Sequence, residues 1–67
     1  MPEGLKNRLR AWRTGKNMTQ AELAEAISVS RKTINTIENG VFTPSTMLAL
    51  KLARVFNCQV EDLFWLD

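Results

Sequence analysis

Apolar side chains recur at intervals of three and four residues through most of this sequence, which therefore reads as a run of short amphipathic helices. Leu5, Leu9 and Trp12 are spaced i, i+4, i+7 and predict a first helix over about Gly4 to Thr14. Gly15, Lys16 and Asn17 interrupt it, with a glycine or an asparagine in the left-handed conformation as the stop. Leu23, Ala24 and Ile27 mark the inward side of a second helix from Gln20 to about Ile27, and Ala24 is small where a neighbour must come close. Ile34 and Ile37 do the same for a third, from Arg31 to about Glu38. A fourth helix starts near Ser45, or at Pro44 with Thr43 as cap, and runs to about Phe56. Its inward stripe is Ala49, Leu52, Ala53 and Phe56. Leu48, Leu50 and Val55 widen that stripe, leaving Met47, Lys51 and Arg54 clearly outside. Asn57 is the expected left-handed stop. Val60, Leu63 and Phe64 predict a short fifth helix, with Glu61 and Asp62 in its first turn where the helix dipole favours anions.

The ends of the second and third helices are the most strongly written. Thr19 and Glu22 have capping-box spacing, and Met18 with Leu23 sits where a hydrophobic staple would. Ser30 offers a second cap, and Val29 with Ile34 repeats the staple. Only Ser28 and Val29 lie between Ile27 and that second cap, so the third helix must leave at a steep angle. Two helices joined in this way make a helix-turn-helix, whose second helix can enter a DNA major groove. If Ser28 takes a positive φ at the turn, it costs about 1 kcal/mol relative to glycine.

Composition narrows the chemistry. The 67 residues read as one domain over 1–67, close to the size below which metals or disulfides are usually needed. Cys58 is the only cysteine and there is no histidine, so neither an intrachain disulfide nor a common transition-metal site is expected. Cys58 reads as a small buried apolar residue rather than a redox sensor. The polar, basic beginning is no signal peptide and no long apolar run exists, so a reducing cytoplasm is the expected location, with no membrane partner. Without histidine or clustered carboxylates, no catalytic residues, cofactor or small-molecule substrate are expected, which excludes an enzyme. The net charge of +2 is unevenly spread. Residues 1–34 hold seven cations against three carboxylates, and residues 35–67 two against four. That asymmetry suits a module that meets a polyanion with one face, though a solvated helix face accounts for it equally well.

Stepping about 100° per residue around the third helix, Lys32, Asn35, Thr36 and Asn39 point away from the isoleucines, with Arg31 and Thr33 at their flank. Cations at a helix start are disfavoured by the dipole unless an anion approaches that end. Arginine and lysine can donate to guanine O6 and N7, and asparagine can pair with adenine N6 and N7. Arg31, Lys32, Thr33, Asn35 and Thr36 are therefore the candidates for base readout. Which of Thr33, Asn35 and Thr36 meets a base and which a phosphate is open. Gln20, Asn39, Lys16 and Thr43 are the phosphate candidates. Glu38 falls on the flank nearer the core, where Arg13 can pair with it. Trp65 and Leu66, with Leu48 and Val55, read either as a dimer interface or as a tail folded back over a core that is already filled.

Trp12-Arg13, Met18 to Ala24, Val29 to Asn35, Ile37-Glu38-Asn39-Gly40, Pro44-Ser45 and Val60 to Phe64 together resemble the Cro/CI-like (XRE) helix-turn-helix family, over about residues 5–64. The likeness is greatest to short members of the cytolysin-repressor type. It implies an all-α, five-helix repressor-like fold, a homodimer and double-stranded operator DNA. By the same resemblance Gln20 grips a phosphate, Arg31, Lys32 and Thr36 read bases, Asn39 contacts a phosphate, and Arg13 with Glu38 forms an ion pair. Ser28 stands where the family has a turn glycine, Gln59 where it has a Ser-like cap, and Cys58 where it has an aliphatic residue. The expected function is a sequence-specific transcriptional regulator, taken as a repressor, on a palindromic operator. The rival reading is a protein-binding module on the same fold, an antitoxin or a coactivator bridge.

Overall fold

Five helices carry most of the chain in the computed structural model, which describes residues 4–67. In chain order they are α1 (Leu9–Gly15), α2 (Gln20–Ala26), α3 (Arg31–Glu38), α4 (Thr46–Phe56) and α5 (Val60–Leu63). Two short strands, β1 (Leu5–Asn7) and β2 (Phe64–Leu66), bring the ends of the described chain together as an antiparallel pair.

The expected caps are formed. Thr19 accepts from the Glu22 N–H at 3.0 Å while the Glu22 carboxylate accepts from the Thr19 N–H at 2.8 Å. Ser30 and Ser45 accept from the N–H groups of Thr33 and Leu48. Ser45 is thus the cap of α4, which settles where that helix begins. Asn17, Ser28 and Asn57 all have positive φ, so asparagine rather than Gly15 makes the left-handed stop after α1. At the start of α5, where Gln59 replaces a Ser-like cap, the Asp62 carboxylate accepts from the Gln59 N–H at 2.9 Å.

Three expectations are corrected. The first helix does not begin near Gly4: Leu5–Asn7 is strand, and α1 starts at Leu9. The Asn7 carboxamide is the reason. Its Oδ1 accepts from the Leu9 N–H while its Nδ2 donates to the Ile37 carbonyl at the end of α3, so the chain turns there. Phe64 belongs to β2 and not to α5, since residues 64–66 pair in register with Asn7, Lys6 and Leu5. Leu50 was expected inward and is 56% exposed, because the α4 stripe facing the core is already supplied by Leu52, Ala53 and Phe56.

One core results. Leu9, Leu23, Ile34, Ile37, Leu52 and Leu63 are fully buried, with Ala24, Ile27, Ala53, Phe56 and Phe64 nearly so. Truncating such a leucine or isoleucine to alanine costs about 2–5 kcal/mol, comparable to the whole net stability of about 3–10 kcal/mol expected at this size. Ala24 has the role its size predicts: α2 and α3 pack closely, and the Val29 N–H after the turn returns to the Ala24 carbonyl at 2.9 Å. The isoleucines of α3 are thereby pinned to the core, and its opposite side is left outside.

Candidate nucleic-acid interface

Glu38, at the end of α3, is the anchor of the polar surface. Its side chain has no solvent exposure, yet it accepts from three neighbours. Arg13 donates from Nε to Oε2 at 2.6 Å and from Nη2 to Oε1 at 3.2 Å. Arg10 Nε and Gln20 Nε2 each donate to Oε1 at 3.2 Å. Arg13 also donates to the Met18 carbonyl, so it fastens the α1–α2 turn to the end of α3. Burial by itself would push the Glu38 carboxyl up. The hydrogen bonds from Arg13, Gln20 and Arg10, with the charge of Arg13, outweigh it and hold the carboxyl below its ordinary value. The hydrogen bond to Glu38 likewise raises Arg13.

A chain of polar groups spreads from this anchor along α3. Gln20 Nε2 donates to Asn35 Oδ1 at 3.3 Å as well as to Glu38, so both of its amide hydrogens are turned inward. Its Oε1 faces Arg31 Nη1 at 3.5 Å. Asn39 Nδ2 donates to Asn35 Oδ1 at 3.4 Å, and Arg10 Nη2 donates to Asn39 Oδ1 at 3.3 Å. Four sequence candidates, Gln20, Arg31, Asn35 and Asn39, are thus brought into one network. Lys32 is exposed beside Thr33 and Thr36, which are half-buried. No acidic residue lies in the first turn of α3.

Other candidates lie apart from that network. Lys16 donates to the Val55 carbonyl at 2.9 Å, which holds it against the end of α4. Thr43 is exposed on the loop before α4. Leu48 and Val55 are half-buried against the core, while Leu66 is 65% exposed and Trp65 38% exposed with the Arg8 guanidinium 4.5 Å from its ring centroid. Two participants were not foreseen. Arg10 needed the position of Glu38, 28 residues away, to be recognised. Phe42 needed the path of the α3–α4 loop, which brings it beside Lys32, Thr33 and Thr36. Burial, with Asp62 adding to it, pushes the Cys58 thiol up, which disfavours the reactive thiolate.

The geometry is that of a helix-turn-helix with a polar, cationic second helix facing out. The helix-turn-helix family model matches residues 9–63, from the first residue of α1 to the last of α5. The chain belongs to the XRE (Cro/CI-type) helix-turn-helix family. It is 48% identical over 63 residues to an HTH-type transcriptional regulator of Archaeoglobus fulgidus, covering 94% of this chain and 90% of that one. The restriction-modification controller protein C.AhdI of Aeromonas hydrophila shares the fold with a TM-score of 0.75 at 30% identity, over 81% of this chain and 82% of that one. The clp gene regulator ClgR of Corynebacterium glutamicum does so with a TM-score of 0.75 at 33% identity, over 81% of this chain and 57% of its own. As a family member the protein is a DNA-binding transcriptional regulator and not an enzyme. No helix among the described residues is long and apolar enough to cross a membrane.

Proposed function

We propose that this regulator is a repressor that binds a palindromic operator as a homodimer, with α3 of each subunit in the major groove. The observation that carries the reading is the side of α3 turned away from the buried Ile34 and Ile37, polar along its length and cationic at its start, where Arg31 and Lys32 are exposed. Arg31, Lys32, Thr33, Asn35 and Thr36 read base edges in this arrangement. Gln20, Asn39, Lys16 and Thr43 meet phosphates, Gln20 by exchanging one of its inward bonds, and Lys16 its bond to the Val55 carbonyl, for a phosphate oxygen. Arg13 and Glu38 hold α1 and the end of α3 together.

A dimer is supported by an exposed apolar surface on α4 and the strands. Leu50 and Met47 are 56% and 66% exposed on α4, and Leu50 lines a shallow groove with Leu5 and Phe64 of the strands. Leu5 pairs with Leu66, so the apolar surface continues onto β2. Repression needs only that an occupied operator excludes other proteins. Selection of bound duplexes from a random pool tests the reading. The expected consensus is palindromic, with half-sites about 10 base pairs apart, centre to centre. A consensus without two-fold symmetry contradicts the homodimer, and no enrichment at all contradicts operator recognition.

A further inference from the structure

We propose that Phe42, with the methyl groups of Thr33 and Thr36, forms a seat for the C5-methyl of a thymine, and so fixes one position of the operator. The proposal rests on α3 lying in the major groove, as above. Phe42 is 46% exposed and lies outside the core. It sits in an open cleft of about 200 Å³ lined by Ser30, Lys32, Thr33, Thr36 and Phe42 itself, on the side of α3 that carries the base-reading candidates.

The ring is held there by backbone. Gly40, at φ 75°, turns the chain back at the end of α3. The Gly40 N–H donates to the Ile37 carbonyl and the Val41 N–H to the Thr36 carbonyl, a Schellman stop. The Phe42 N–H donates to the same Thr36 carbonyl at 3.2 Å. Both threonine hydroxyls are engaged within the helix. Thr36 Oγ1 donates to the Thr33 carbonyl at 2.9 Å, and Thr33 Oγ1 shares a 3.0 Å hydrogen bond with Ser30 Oγ. With each hydroxyl turned to a partner on the helix, the threonine methyl groups are free to face the cleft. Among the groups a base pair shows in the major groove, the thymine methyl is the apolar one, and phenylalanine and the threonine methyl are partners it accepts.

The test replaces each thymine of the selected operator, one per half-site at a time, by deoxyuridine, which pairs identically and lacks only the methyl. Binding is titrated at fixed salt for the unsubstituted protein, Phe42→Ala, Phe42→Leu and Arg31→Ala. At one thymine per half-site, methyl removal is expected to weaken binding about fourfold, and about fifteenfold when both half-sites are altered, the value of one methyl-sized group leaving water. Phe42→Ala is expected to bind the two duplexes equally, and Phe42→Leu to keep the discrimination. Thermal melting is expected to show that Phe42→Ala stays folded, since a half-exposed side chain outside the core is removed. A half-site without thymine, a scan in which no methyl matters, or a methyl penalty that survives in Phe42→Ala overturns the seat. If Arg31→Ala loses affinity in the same experiment, α3 still reads the groove. If it binds undiminished, that underlying reading fails instead.

Discussion

Glu38 couples three elements through one carboxylate, and its ionisation should be visible in the stability. Its folded pKa lies below the unfolded value of about 4.3, so its contribution is complete above that value and disappears as pH falls through the folded pKa. Glu38→Gln is expected to cost about 2–3 kcal/mol at pH 7, because it leaves Arg13, 12% exposed, without its anion. Urea midpoints compared from pH 7 to pH 3 should show the gap between the two proteins narrowing in acid. A gap independent of pH would mean that the carboxylate charge is immaterial. Ser28 makes a second case, with φ of 60° at the turn between α2 and α3. Ser28→Gly should stabilise by up to about 1 kcal/mol, a rise in melting temperature of about 4–8 °C per kcal/mol, with DNA affinity unchanged. Both residues could be singled out in the sequence, Ser28 because the spacing of the caps leaves a two-residue turn, and Glu38 because it steps toward the core. Arg10 could not, because nothing local links it to an anion 28 residues away.

The helices themselves were legible because their signals are local. A cap and the residue it bonds are three positions apart, so Thr19, Ser30 and Ser45 announce α2, α3 and α4 directly. The strands were not. Three residues are too few to show alternation, and Leu5 finds its partner at Leu66, at the far end of the chain. A spacing that fits a helix placed Leu5, Leu9 and Trp12 on one stripe, whereas Asn7 divides Leu5 from α1. Asn7→Ala tests that division. It removes the cap on Leu9 and the bond to the end of α3, and should cost about 1–2 kcal/mol in denaturant unfolding. An unaltered midpoint would mean that the strand pairing alone sets the start of α1.

The molecule as a whole presents two unlike surfaces. One is the cationic and amide-bearing side of α3 with Arg10, and the other the apolar surface of α4 and β2. If the second joins two copies, Leu66→Asp should turn a dimer into a monomer in sedimentation, with the helical signal retained. A protein that is already monomeric at working concentrations would contradict the two-fold arrangement. The first surface decides whether the regulator reads sequence in the way proposed. Arg31 and Lys32 are exposed, and removing a cation from a helix start relieves an unfavourable dipole interaction, so their alanine variants should melt no lower than the parent. Titration of Arg31→Ala and Lys32→Ala against the selected operator at fixed salt is the decisive comparison. Each should lose about 1–3 kcal/mol on that duplex and much less on a scrambled one. Equal affinity of parent and variants for the selected operator would show that α3 does not read it.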